Sequence, residues 1–146
     1  MNNFKKIKPY FLLICFLINL TYVVPTYSLS SQEELFKNAL NLSSSGEFNL
    51  ALNQWNKYLE LFPDDAAALS NRGNIKLVIG DPEGAIADHN KAIDLDPNEV
   101  DPYINRGIAE ESLGLWSQAK NDYLYVISKD EDNVSALYNY ANVEGS

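Results

Sequence analysis

A period of 34 residues, which recurs three times, constrains the fold of this chain more than any other feature of its sequence. The segment GEFNLALNQWNKYLELFPDD at 46–65 aligns with GDPEGAIADHNKAIDLDPNE at 80–99, which aligns in turn with GLWSQAKNDYLYVISKDEDN at 114–133. The preceding halves agree as well, because LSNRGNIKLVIG at 69–80 matches YINRGIAEESLG at 103–114. A repeat of this length predicts a stack of units in which each unit covers the apolar face of its neighbour.

The alignment divides the chain into units at 32–65, 66–99 and 100–133, and residues 134–146 begin a further unit. Apolar residues within a unit are spaced three or four apart and do not alternate as they would in a strand. We therefore predict two helices per unit and one domain over residues 31–146. About three such hairpins are the minimum that buries a continuous core.

Small residues and prolines recur in phase with the period and indicate where the helices end or meet. Glycine adopts positive φ at a helix C-terminus, small residues let two helices approach closely, and proline does not continue a helix. The turn glycines are Gly46, Gly80 and Gly114, the small residues of the second helices are Ala51, Ala85 and Ala119, those of the first helices are Ala39, Gly73, Gly107 and Ala141, and the closing residues are Pro63, Pro97 and, as a departure, Glu131.

With these features the chain resembles the tetratricopeptide-repeat (TPR) family over residues 32–146. The resemblance implies an all-α fold, a right-handed superhelical stack of antiparallel helix hairpins with three repeats and one extra C-terminal helix. It also implies a non-catalytic module, without a cofactor, that binds a protein or peptide on its concave face. The composition and the NRG sequences at 71–73 and 105–107 are similar to those of exported bacterial, cyanobacterial and thylakoid-lumen members.

Residues 1–30 have the pattern of a signal peptide or of an N-terminal membrane anchor. Three lysines precede an apolar stretch that runs from Tyr10 to Leu20. This order is typical of secretory signals, whereas a spanning helix needs about 20 apolar residues. We expect cleavage after Ser28 or Ser30, with an uncleaved anchor as the alternative. The protein would then be exported or membrane-tethered, in the periplasm, the cell envelope or the thylakoid lumen.

The charge of the chain argues against nucleic acid as a partner. The formal net charge is −9, and the first thirty residues hold three of the eleven Lys and Arg but none of the twenty Asp and Glu. A domain this acidic repels a phosphate backbone and favours solubility. The one cysteine, Cys15, lies in the N-terminal segment, so the sequence predicts neither a disulfide nor a cysteine metal site in the domain.

No arrangement of catalytic or metal-binding residues stands out in the sequence. His89, the one histidine, has the same phase as Trp55 and Tyr123, which predicts a packing role. The run DLDPNEVD at 94–101 has oxygen-bearing residues at calcium-loop spacing but lacks the required Gly and Glu, so we interpret it as a turn between units. Glycine-rich phosphate loops, nucleophile elbows and HExxH motifs are absent from the sequence. We predict no enzyme, no small-molecule substrate, no metal and no cofactor.

Two pairs of opposite charges recur at one phase. Arg72 and Asp88 are 16 residues apart, as are Arg106 and Asp122, and the first unit has two amides at these places. Because the two places lie on different helices of one hairpin, we predict structural ion pairs, bidentate in geometry. The alternative is that both carboxylates are simply solvated.

In the resembled family the first helix of each unit lines the concave surface, and this implies a column of exposed partner-binding residues. They are Ser70, Asn71, Asn74 and Leu77 in the second unit, Ile104, Asn105 and Ile108 in the third, and Tyr138, Asn139 and Asn142 in the remainder. Three of the asparagines are spaced 34 apart. An amide both donates and accepts hydrogen bonds, so such a column suits an extended peptide backbone. The alternative is that the asparagines bridge helices of neighbouring units.

Chaperone-binding members of the family hold a C-terminal carboxylate with a set of Lys, Arg and Asn residues. Asn71 matches the Asn of that set, but the other matching places hold Phe36 and Leu40 in the first unit and Asp101 and Asn105 in the third. Because the cations are missing, we do not expect this chain to hold a C-terminal carboxylate.

Residues 134–146 suggest a second kind of contact. They form one helix of a further unit, with apolar Leu137, Tyr138 and Tyr140 where the end of a repeat array is usually polar. Such a face favours a homodimer through the C-terminal helix. The leading hypothesis is a scaffold or assembly factor that binds a protein partner in its groove. The alternative is a permanent structural subunit of a larger membrane-associated complex, held by its C-terminal face.

Overall fold

The computed structural model describes residues 29–145, with side chains from residue 31 onward. This part of the chain consists of helices and turns, which confirms the predicted all-α solenoid. Its helices are α1 (Leu29–Ser44), α2 (Phe48–Leu61), α3 (Ala66–Val78), α4 (Pro82–Leu95), α5 (Asp101–Ser112), α6 (Trp116–Lys129) and α7 (Val134–Glu144). The predicted signal or anchor, except for its last two residues, and Ser146 lie outside the described residues. Within residues 29–145, no helix combines the length and the apolar character that a membrane span requires.

A glycine in the left-handed backbone conformation follows the first helix of each hairpin. Gly46, Gly80 and Gly114 have φ angles of 80°, 87° and 72°, which a residue without Cβ adopts without strain. After the second of these glycines, Asp81 caps α4, because its side chain accepts a hydrogen bond from the Gly84 backbone N–H at 3.0 Å. The sequence therefore specifies both the end of one helix and the start of the next locally.

The helices form two layers with different contacts. Consecutive helices pack against each other throughout, and α1 also contacts α3, α3 contacts α5, and α5 contacts α7. The second helices of neighbouring units, α2, α4 and α6, make no such contacts with one another. The first helices therefore lie closer together than the second helices, so they line the concave side of the stack.

Each unit buries one large ring at the same phase of the repeat. Trp55, His89 and Tyr123 have no exposed surface, and the packing role predicted for His89 is confirmed. A Cβ added to Gly73 would lie 2.8 Å from His89 Cε1, and one added to Gly107 would lie 2.6 Å from Tyr123 Cε1. The first helices need small residues there because the rings occupy the space that a side chain would fill.

The polar atoms of these three rings have different environments. Trp55 Nε1 donates a hydrogen bond to Ser43 Oγ at 3.0 Å, and the Tyr123 hydroxyl donates one to Glu111. In the second unit, Leu77 occupies the position that matches these acceptors, and its side chain cannot accept a hydrogen bond. Neither ring nitrogen of His89 has a hydrogen-bond partner among the described residues. Burial lowers the pKa of His89 to about 4, so the ring is neutral at physiological pH.

Candidate functional site

Bidentate ion pairs join the two helices in the second and third hairpins. Arg72 donates from Nε and Nη2 to the Asp88 carboxylate at 2.7 and 2.6 Å, and Arg106 donates to Asp122 at the same two distances. All four side chains are at least four-fifths buried. Burial by itself would raise the pKa of Asp88, but hydrogen bonds from Arg72 and Lys76 outweigh that effect and hold the pKa below its usual value. The pairs hold α3 against α4, and α5 against α6, in one register.

Each of these arginines also contacts the unit before its own. Arg72 Nη1 donates to Asn56 Oδ1 at 3.1 Å, and Arg106 Nη1 donates to Asn90 Oδ1 at 2.6 Å. Sequence reasoning missed the two asparagines, although their spacing of 34 residues was a signal that could have found them. Each guanidinium therefore links its own hairpin to the second helix of the preceding one.

The second and third units differ in one buried charge beside the ion pair. Lys76 Nζ lies 2.8 Å from an Asp88 oxygen and donates to a backbone carbonyl of α4 at 3.3 Å. At the same phase, the third unit has Glu110, which is 8% exposed and whose Oε2 has no hydrogen-bond partner among the described residues. Burial and, to a lesser extent, the charge of Asp122 raise the pKa of Glu110 to about 7, although the Arg106 guanidinium lowers it. The third unit therefore holds a carboxyl group that titrates near neutral pH.

A groove of about 350 Å³ lies on the concave layer, between α3, α5 and the turn that joins α4 to α5. Its lining residues are Ala66, Ala67, Ser70, Asn71, Asn74, Ala92, Asp96, Glu99, Asp101, Pro102 and Asn105. Four of them, Ser70, Asn71, Asn74 and Asn105, are predicted partner-binding residues that the structure brings together. The side chains of Ala66, Ala67 and Ala92, which also line the groove, are small, so an extended chain can approach the helix backbones closely there.

The amide and hydroxyl groups of the groove are largely free to bind. Asn71 Nδ2 donates to the Ala67 carbonyl at 2.9 Å, which leaves its own amide oxygen available. The side chains of Ser70, Asn74 and Asn105 make no hydrogen bond with any other described residue. These groups can therefore both donate to and accept from a bound peptide backbone.

One side of the groove is acidic, and sequence reasoning missed most of it. Asp96, Glu99 and Asp101 line the groove, and no Lys or Arg is among its lining residues. Asp96 Oδ1 accepts a hydrogen bond from the Asn98 backbone N–H at 3.2 Å. Glu99 and Asp101 make no ion pair or side-chain hydrogen bond within the described residues. The sequence showed Asp96 and Glu99 only as members of a turn, because their position beside α3 depends on how the units stack.

The remaining predicted partner-binding residues do not line this groove. The expectation that Ile104 is exposed is wrong, since it is 8% exposed and packs in a core cluster with Ile93, Tyr103 and Tyr123. An apolar side chain at this phase turns into the core, whereas the serine of the second unit remains at the surface. Leu77 and Asn139 are half-buried, and Ile108, Tyr138 and Asn142 are exposed.

The outer face of α7 carries several exposed apolar side chains. Val134 and Tyr138 are 78% and 67% exposed, and Leu137 is also exposed. Ala136 and Val143, on the opposite face of α7, pack in the core of the third unit. This apolar face is separate from the groove, so it offers a second surface for a contact.

The described residues offer little for catalysis or for metal binding. Within residues 29–145, no group of three His, Cys, Asp or Glu side chains is placed to hold a metal ion. His89, which has neither a hydrogen-bond partner nor exposed surface, is inaccessible to a substrate. The groove, with its amides and its acidic side, is therefore the best candidate for a functional site.

Comparison with known proteins identifies the repeat. The family model described as tetratricopeptide repeat matches residues 66–99, which are the second predicted unit. Residues 66–99 are a tetratricopeptide repeat. The predicted resemblance to the TPR family is thereby confirmed, whereas nothing in the comparisons supports a closer resemblance to exported bacterial or thylakoid-lumen members.

Curated relatives match the domain over part of their length. The TPR repeat-containing thioredoxin TDX of Arabidopsis thaliana is 33% identical over 91 residues, which cover 62% of this chain and 24% of that protein. The FAM10 family protein At4g22670 of the same plant is 29% identical over 100 residues, 68% of this chain and 23% of that protein. The chain therefore spans about a quarter of the length of either relative. An enzyme also matches, the UDP-N-acetylglucosamine–peptide N-acetylglucosaminyltransferase of Giardia intestinalis, but over 6% of its length.

Solved structures share the fold at low sequence identity. The first TPR domain of Spaghetti (RPAP3) bound to the HSP90 peptide SRMEEVD superposes with a TM-score of 0.77 and 20% identity, and the match covers 83% of this chain and 96% of that one. The Arabidopsis OM64 TPR domain gives 0.76 and 22%, with 80% and 96% covered. The TPR2B domain of yeast Sti1 in its pHsp70 complex gives 0.71 and 22%, with 78% and 96% covered. These likenesses establish the TPR solenoid fold.

Proposed function

We propose that this chain binds an extended segment of a partner protein in the groove between α3 and α5, and that it acts as a non-catalytic scaffold or assembly factor. The observation that carries the proposal is the set of Ser70, Asn71, Asn74 and Asn105, which places free polar groups along one concave surface. Such groups satisfy the backbone of a bound peptide, which otherwise loses its hydrogen bonds to water.

The fold supports the same function. Structures with this fold are described as bound to an HSP90 peptide in one case and to an Hsp70 peptide in another. A groove formed by helices of two units also presents a surface that an isolated hairpin lacks, and repeat proteins commonly use such concave surfaces for binding.

The test is to select binding peptides from a random display library with the full chain and to measure their affinities by fluorescence anisotropy. The double variant Asn71→Ala/Asn105→Ala is expected to weaken binding by about tenfold, because it removes two side chains that hydrogen-bond the peptide. Alanine has a higher helix propensity than asparagine, so the variant should remain folded.

The matched control is Asn49→Ala/Asn53→Ala, which changes two exposed amides on α2 that do not line the groove. This control is expected to leave the affinity unchanged. Equal losses in the two double variants, or a library that yields no binding peptide, would contradict groove binding.

We also propose that the protein acts outside the cytoplasm, as an exported or membrane-tethered protein. Support comes from the basic and apolar order of residues 1–30. Mass spectrometry of the N-terminus of the protein isolated from its native host tests this directly. A mature N-terminus at residue 29 or 31 indicates cleavage, an intact N-terminus in the membrane fraction indicates an anchor, and an intact protein in the cytoplasmic fraction contradicts export.

The second candidate function is a permanent structural subunit, or a homodimer, held through α7. The exposed side chains of Val134, Leu137 and Tyr138 favour it. Sedimentation of the full chain and of the variant Leu137→Asp/Tyr138→Asp tests the homodimer. A dimer that the variant converts to a monomer supports self-association through this face, and a monomer in both cases removes the homodimer from consideration.

A further inference from the structure

The acidic side of the groove indicates which peptides it accepts. Asp96, Glu99 and Asp101 lie along the turn and the first residues of α5, and the groove has no cation to balance them. The nearby cations are engaged elsewhere: Arg106 contacts Asp122, and Lys91 Nζ lies 3.1 Å from Asp64. The negative potential on this side is therefore uncompensated.

The places that match the carboxylate-binding set of the chaperone-binding members have the opposite character here. Phe36 and Leu40 are apolar, and Asp101 carries a negative charge. An acidic peptide end such as that of SRMEEVD, held at the matching places, would bring its carboxylates towards Asp101, and like charges at a shared site repel each other.

We infer that the groove takes a basic segment of a partner protein, in which Lys or Arg reaches the carboxylates of Glu99 and Asp101 while the backbone lies on the amides of α3 and α5. This inference rests on the proposed function, because it concerns the same groove. The stem of a lysine or arginine is apolar, and Ala66, Ala67 and Pro102, which line the same groove, offer a matching surface.

A metal ion would be a simpler occupant of the acidic side, but the described residues do not favour it. Glu99 and Asp101 belong to no group of side chains placed to hold a metal ion in the described residues, so a long cationic side chain fits them better than a bare divalent ion. Asp101 lies in the first turn of α5, where a carboxylate also interacts favourably with the helix dipole. The dipole of α5 does not explain why Asp96 and Glu99 are also acidic, because both residues precede the helix.

The experiment compares three random peptide libraries that differ only in two fixed central residues, which are Lys in the first, Gln in the second and Glu in the third. The full chain is expected to bind the Lys library most strongly and the Glu library least. Binding to the Lys library should also weaken as NaCl is raised from about 50 to about 300 mM, because salt screens the exposed charges.

The variant Asp101→Lys is expected to weaken binding of the selected Lys peptides by at least about fivefold. Its matched control is Glu83→Lys, which reverses a carboxylate in the first turn of α4 that does not line the groove. Both variants change the net charge and the helix start in the same way, so only contact with the peptide distinguishes them.

The outcomes separate this inference from the proposed function. If the three libraries bind equally, or if Asp101→Lys and Glu83→Lys have equal effects, the preference for basic segments is overturned, while loss of binding in Asn71→Ala/Asn105→Ala still supports the groove. If no library binds, the proposed function fails and this inference fails with it.

Discussion

The Asp88 carboxylate accepts two hydrogen bonds from the Arg72 guanidinium, at 2.7 and 2.6 Å, across the two helices of one hairpin. The same guanidinium donates to Asn56 in the preceding unit at 3.1 Å. A side chain with five N–H groups can make both contacts at once. Arg72 therefore fixes how the two helices of its own repeat pack, and also how that repeat packs against the preceding one.

Removing only the acid of this pair should be more harmful than removing the whole pair. Asp88→Leu leaves the mostly buried guanidinium of Arg72 without its counterion, and the expected loss is about 3 kcal/mol of unfolding free energy. The double variant Arg72→Leu/Asp88→Leu replaces both charges with apolar groups and should lose about 1 kcal/mol. Lys76, the second partner of Asp88, loses its counterion in both variants, so it does not change their order. Urea denaturation followed by circular dichroism measures both. Equal losses would show that the pair is solvated and does not set the register.

Replacing His89 with a ring that has no nitrogen should stabilise the protein. Both ring nitrogens are buried without a partner, so His89→Phe removes an unsatisfied polar group and should raise the unfolding free energy by about 1 kcal/mol. A six-membered ring fits against the glycine of α3, as Tyr123 fits against Gly107. Trp55→Phe is the control, since it removes the hydrogen bond to Ser43 and should lower stability. Destabilisation by both substitutions would mean that His89 has a partner.

Glu110 should make the stability of the protein depend on pH near neutrality. Its pKa is about 7 in the folded protein and near its usual lower value in the unfolded chain. Because the folded protein holds this proton more tightly than the unfolded chain does, Glu110 contributes to the free energy of unfolding at low pH. The contribution is complete below the pKa of the unfolded chain and is lost as the pH rises through 7.

The variant Glu110→Gln has no proton to lose at this position. Its unfolding free energy relative to wild type should therefore increase between pH 5 and pH 8, by roughly 1–3 kcal/mol. His89, whose pKa is lowered to about 4 by burial, acts in the opposite direction, but it is present in both proteins and cancels in the difference. Thermal or urea unfolding across this range provides the measurement, and a difference that does not change with pH would refute the account of Glu110.

Gly107 should not tolerate even one methyl group. Its Cβ would lie 2.6 Å from a carbon of the Tyr123 ring, which is fully buried and cannot move away easily. We expect Gly107→Ala to lower the unfolding free energy by about 2 kcal/mol. Gly145→Ala is the control, because a Cβ there meets no atom within 4 Å. Thermal melts of the two variants check this, and similar melting temperatures would contradict the close packing.

The repeating part of the fold could be predicted from the sequence because each feature has a local cause. Gly46, Gly80 and Gly114 take positive φ at the predicted turns. The spacing of Arg72 and Asp88 predicts that they lie opposite each other, since the two helices of a hairpin have a fixed relationship.

Features that depend on stacking between units could not be predicted in the same way. Asp96 and Glu99 lie in a turn in the sequence, and they become part of the groove only because that turn folds beside α3. Ile104 has the same phase as Ser70 but is buried, because its apolar side chain packs in a core cluster that also contains Ile93 from the unit before. The contact from Arg72 to Asn56 likewise crosses from one unit to another.

Site-specific photo-crosslinking in the native host tests the central claim most directly. A photo-crosslinking amino acid is placed in the full chain at Ala67 in the groove, at Tyr138 on α7, or at Asn53 on α2, three sites on different surfaces. Groove binding predicts a specific protein adduct from the probe at Ala67 that is lost in the Asn71→Ala/Asn105→Ala background, and none from Asn53. An adduct from Tyr138 together with none from Ala67 would contradict the account and assign the partner to the α7 face.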